Sequence, residues 1–73
     1  MNKKVSVWDV RVIVEDVEYQ PYIDKVNGLR QYLFDVYGMS NINYSFLYDV
    51  VDESKFHLFM LKYPECIEKI LYE

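Results

Sequence analysis

FHLFMLKY, residues 56–63, is the stretch on which the fold reading turns. It is bounded by the polar run Asp52-Glu53-Ser54-Lys55 on one side and by Pro64 on the other. Read with period two, Phe56, Leu58 and Met60 point one way, and Phe59, Leu61 and Tyr63 the other. A strand apolar on both faces needs cover on both, which is the position of a central strand. So short a chain has few elements to supply that cover. The segment therefore also implies that a second molecule covers part of the sheet.

The chain has 73 residues, enough for one small domain spanning 1–73. A hydrophobic fraction of 52% with 18% aromatic residues excludes a disordered chain. A core of this size is marginal, because ordering costs roughly 1.5 kcal/mol per residue. A single cysteine, Cys66, excludes an intrachain disulfide, and no Cys/His set has zinc spacing. That leaves oligomerisation or a tyrosine-rich core, and eight tyrosines suit either. The net charge of −4 disfavours nucleic acid as a partner. No apolar run is long enough to cross a bilayer and the N-terminus has no leader-like segment, so a cytoplasmic protein with a reduced thiol is expected. The absence of Ala and Thr, with abundant Lys, Asn, Ile, Tyr and Phe, is the signature of AT-rich coding and suits a bacteriophage.

Five elements follow from periodicity. Residues 5–14, VSVWDVRVIV, read as a strand with Trp8, Val10, Val12 and Val14 on one face. Residues 21–37 read as a helix opened by Pro21, with Tyr22, Val26, Leu29, Leu33 and Val36 as its stripe and Gly38 as its left-handed cap. The Asn27-Gly28 pair interrupts that pattern without shifting its phase, and Gly28 is read as permitting a close approach to the sheet. Residues 42–51 read as a second strand and 52–55 as a hairpin loop. Residues 56–63 are the third strand and 64–71 a last helix. The expected class is α+β: β-α-β-β-α, a three-stranded sheet with two helices on one face. Its topology resembles a ferredoxin-like split β-α-β unit, truncated before the last strand. A meander in chain order is the competing arrangement. Trp8, Val12, Leu29, Leu33, Leu58 and Ile67 are expected in one core.

Catalytic equipment is thin. His57 and Cys66 are the one histidine and one thiol, placed too far apart on an extended strand to act together. No cofactor motif and no metal loop is present. In the expected sheet, Glu15, Asp16 and Glu18 approach Asp49, Asp52 and Glu53, forming an acidic rim for a basic partner surface. Tyr44, Tyr48, Phe59 and Leu61 form a candidate apolar face for association. The expectation is a non-enzymatic, acidic protein-binding module, a regulator, inhibitor or accessory subunit that docks on a larger protein and self-associates. A phage-encoded inhibitor of a host system fits that description. The alternative is a nucleic-acid-associated regulator that stacks bases on the sheet aromatics.

Overall fold

The strand at the centre of the sheet is the first one. In the computed structural model, which describes residues 3–72, β1 (Lys3–Val7) lies between β3 (Leu47–Val50) and β4 (Ile67–Tyr72), with β2 (Met39–Asn41) beyond β3. The order is β2-β3-β1-β4 and every neighbouring pair is antiparallel. Val5 and Val7 are buried, and Val5 sits between Tyr48 and Ile70 in register. Burying each of these valines contributes about 1.5–3 kcal/mol. The alternate positions Lys4, Ser6 and Asp49 lie on the opposite face, which carries a Lys4–Asp49 ion pair at 3.8 Å and a Ser6–Glu68 hydrogen bond at 3.5 Å. A bulge at Ser6/Val7 sets Glu68 outside the ladder between β1 and β4.

Three α-helices, α1 (Arg11–Val14), α2 (Gly28–Tyr37) and α3 (Glu53–Lys62), join a 3-10 turn at Val17–Tyr22 in the helical layer against this sheet. The α+β class is therefore as expected, with helices packed on an antiparallel sheet. Four strands replace the expected three. The split β-α-β arrangement is present: β3 lies between β1 and β2 and is antiparallel to both, and β4 on the other side of β1 adds the last strand that the expected truncation left out.

Residues 56–62 are helical, with Tyr63 as the C-cap, and not a central strand. Phe56, Phe59 and Tyr63 recur at helical spacing and are buried, whereas Leu58 and Leu61 are 57% and 72% exposed. No β-branched residue occurs in Glu53–Lys62, so helix propensity is unopposed. The polar run before it is not a hairpin loop. Asp52 is the N-cap, its carboxylate accepting from the Lys55 backbone N–H at 3.2 Å, and Glu53 occupies the first turn.

The other expected elements are cut shorter. The strand at 5–14 ends at Val7, because Asp9 adopts φ 54° and the chain turns into α1. Ile13 then enters the core, while Trp8 and Val12 stay exposed. The helix at 21–37 is two pieces, broken at Asn27 with φ 58°. Gly28 does make a close approach, but to the Tyr22 carbonyl and not to the sheet: a Cβ there would stand 2.2 Å from that oxygen. Tyr32, Leu33 and Tyr37 form the buried face of α2, and Gly38 caps it at φ 60° as expected. The strand at 42–51 is the loop of a hairpin followed by β3, with β2 just before it, and the helix at 64–71 is a 3-10 turn followed by β4. Of the expected core, Leu33 is fully buried, and Leu29 and Ile67 pack against it. Trp8, Val12 and Leu58 do not belong to it.

No helix among the described residues is long and apolar enough to cross a membrane.

Candidate functional site

The expected acidic rim is divided by α3. At the start of that helix Asp52 serves as its cap and Glu53 pairs with Lys3 at 3.1 Å. At its other end Lys62 meets Asp16 at 3.2 Å and also Glu18. Ten helical residues separate the two groups by about 15 Å. Asp49 lies on the open face of the sheet beside Lys4, and Glu15 caps the end of α1 in solvent. The antiparallel sheet is the reason: it sends the ends of β1 and β3 in opposite directions, so the six carboxylates do not share an edge.

The expected apolar face is divided as well. Tyr48 and Phe59 are core residues, whereas Tyr44 and Leu61 are exposed on different elements. Leu61 joins Leu58 and Val36 along a shallow groove between α2 and α3, beneath the Lys62–Glu18 pair.

Two aromatic groups stand out once the chain is folded. The first is internal. The Tyr32 ring meets Tyr19 and Tyr22 edge-on at 5.3 Å, and Tyr37 meets Phe59 at 5.4 Å and Tyr63 at 5.9 Å. The Tyr32 and Tyr63 hydroxyls are 3.3 Å apart, and the Tyr63 hydroxyl donates to Asp16 Oδ2 at 2.9 Å. Burial raises Tyr32, Tyr37 and Tyr63 above the ordinary phenol range. The backbone N–H of Glu18 and then the Tyr63 hydroxyl hold Asp16 below the ordinary carboxylate range. The Glu18 carboxylate raises Lys62. This cluster ties the 3-10 turn to α3 and is a structural clamp.

The second group is external. Trp8 and Phe46 stand edge-to-face at 5.2 Å, 55% and 62% exposed. The Arg30 guanidinium lies 4.6 Å above the Tyr44 ring, which is 74% exposed, and Phe34 beyond it is half-exposed. Adjoining grooves join them: Phe46 and Val10 line both the groove at Trp8 and the groove at Arg30, and Arg30 and Tyr44 also line the next one, towards Phe34. Both arginines of the chain, Arg11 and Arg30, lie here, and Asp9, paired to Arg11 at 2.8 Å, is the one acidic residue lining these grooves among the described residues.

The loop at 42–46 holds this group in place. The Ser45 N–H donates to the Ile42 carbonyl at 3.0 Å, and the two residues between, Asn43 and Tyr44, have φ 50° and 56°. That is the pattern of a type I′ hairpin turn, with tyrosine where glycine is favoured. Asn41 Nδ2 donates to the Ser45 carbonyl at 2.9 Å and secures the turn. Sequence reasoning put Asn43 and Tyr44 inside a strand and Trp8 in the core, so it missed Trp8, Arg30, Phe34 and Phe46 as a set. The available signal was Asn43 followed by Tyr44 and Ser45, which suits a turn as well as a strand.

Cys66 is buried with its thiol against the Asp9 carbonyl at 3.3 Å, and burial pushes its pKa up. His57 lies on the solvent side of α3. No family model, no curated protein and no solved structure matches the chain.

Proposed function

We propose that the protein is a non-enzymatic binding module, a small regulator or accessory subunit, that docks on a larger protein through its aromatic end and not through an acidic rim. The observation that carries this reading is the continuous exposure of Trp8, Phe46, Tyr44 and Phe34 around Arg30. Monomeric proteins seldom leave large contiguous apolar surface in water without a use for it. Trp, Tyr and Arg are the residue types that dominate interface energetics. The six carboxylates each have a local task or stand apart, so they suit solubility better than docking. A test places a photo-crosslinking residue at Phe46 or at Lys69 in cells of the native source. The reading expects a discrete cross-linked protein from position 46 and none from 69. Equal patterns from both positions, or none from either, would overturn it.

A second reading has one observation in its favour. Arginine stacked on tyrosine beside exposed Trp and Phe is also a platform for single-stranded nucleic acid. The net charge of −4 weighs against it, because a phosphate chain is repelled along its whole length.

A further inference from the structure

The far end of the aromatic surface differs from the rest in chemistry. A groove of about 350 Å³ runs between α2 and the hairpin turn, with Phe34 and Tyr44 as its aromatic walls. Arg30, Asn27, Gln31 and Asn43 supply its polar lining, and no carboxylate lines it. Arg30 is held in place twice, over the Tyr44 ring and by the Asn27 side-chain oxygen, yet it has no ion pair among the described residues. Asn27 gives its side chain to Arg30 and makes no capping bond to its own helix. On a chain of net charge −4, a groove with a positioned guanidinium and no carboxylate is the reverse of the average surface.

The backbone adds an independent observation. Three of the four non-glycine residues with positive φ among the described residues, Asn27, Asn43 and Tyr44, line this one groove. Asparagine tolerates that conformation, but tyrosine does so at a cost. Tyr44 is 74% exposed, so the core recovers none of that cost. Left-handed tyrosine in a tight turn, presenting its ring to solvent beside an arginine, is strain placed where a ligand makes use of it.

Building on the docking role proposed above, we infer that this groove takes an acidic side chain of the partner protein together with a neighbouring apolar side chain. The carboxylate accepts from the planar Arg30 fork, and the apolar side chain lies between Phe34 and Tyr44. A single carboxylate engages Arg30 locally and escapes most of the repulsion that a polyanion meets. The partner segment is thus acidic and apolar in alternation, not a basic surface.

Blocked dipeptides test this on the intact, isotope-labelled chain by NMR titration. N-acetyl-Phe-Asp-amide is expected to shift the amides of Arg30, Phe34, Asn43 and Tyr44. The isosteric N-acetyl-Phe-Asn-amide should bind at least about fivefold more weakly. Arg30→Gln should abolish that difference, and Tyr44→Gly should weaken both peptides with a urea midpoint no lower than wild type. Equal affinity for the two peptides, no shifts at these residues, or stronger shifts with an oligothymidylate would overturn the inference. Trp8→Ala separates it from the docking role, since it should leave peptide binding intact while reducing capture of the cross-linked partner. Peptide failure with Trp8-dependent capture would remove the groove assignment alone. Peptide binding with Trp8-independent capture would remove the wider docking surface alone.

Discussion

The tyrosine cluster beneath α2 and α3 and the aromatic end around Trp8 use the same side chains for opposite purposes. In the first, Tyr32, Tyr37 and Tyr63 are buried and edge-packed, and the hydroxyls of Tyr32 and Tyr63 are linked to each other and on to Asp16. In the second, Trp8, Phe46 and Tyr44 lie more than half in solvent, and Tyr44 carries a cation on its face. The buried cluster does for a chain of 73 residues what disulfides or metals do for other small domains. That leaves the second group surplus to folding, and aromatic area that folding does not consume is available for a partner.

Core and surface substitutions separate these roles most strongly. Phe59→Ala should cost about 3–5 kcal/mol and leave little cooperative unfolding, while Phe46→Ala should stay within about 0.5 kcal/mol of wild type. Urea unfolding followed by circular dichroism checks both. Similar losses for the two would erase the distinction.

A hydroxyl deletion inside the clamp comes next in size. Tyr63→Phe keeps the ring but removes the link between Tyr32 and Asp16, and should cost about 1–2 kcal/mol in the same experiment. Tyr44→Phe, which alters a solvent-exposed hydroxyl, should cost nothing measurable.

Alkaline pH sharpens the contrast without mutation. Tyr32, Tyr37 and Tyr63 have folded pKa values raised above the ordinary 10.0. Their contribution is therefore fully present below pH 10.0 and is lost as the pH rises from there through the folded values. The urea midpoint should be flat near about pH 9 and fall by about pH 11, and Tyr63→Phe should reduce the fall. A midpoint independent of pH across that window would show that the phenols ionise freely.

The smallest effect expected is at the hairpin turn. Tyr44→Gly relieves a left-handed residue, worth about 1–2 kcal/mol, and gives up an exposed cation–π contact of about 0.5–1 kcal/mol. Thermal unfolding should therefore show equal or slightly higher stability despite the loss of a ring. A clear destabilisation would mean that the Arg30–Tyr44 contact is structural.

The class of fold was legible because aromatic and β-branched patterning implies a packed mixture of helix and sheet whatever the order. The elements were less legible, for a reason that 56–63 makes plain. Phe56, Phe59 and Tyr63 satisfy helical spacing, and Leu58 and Leu61 fill the gaps so that period two fits too. Exposed leucines blurred the helix, and only the lack of β-branched residues and the capping Asp52 argued for it. The error at residues 5–14 has a different origin. Asp9 takes a left-handed conformation that its residue type permits but does not demand. The candidate site was illegible for the same reasons. Trp8 and Phe46 meet because β1 pairs with β3, and Tyr44 faces Arg30 because of a turn that no glycine announced.

The most direct test of the account measures stability and binding on one variant, Trp8→Ser with Phe46→Ser. Urea unfolding by circular dichroism gives the first quantity. Capture of the protein cross-linked from position 46 gives the second. The account predicts a midpoint close to wild type and capture reduced at least about tenfold, the loss of one to two interface hot spots. Unfolding of the variant, or a folded variant that captures its partner undiminished, would contradict the claim that the aromatic end exists for docking.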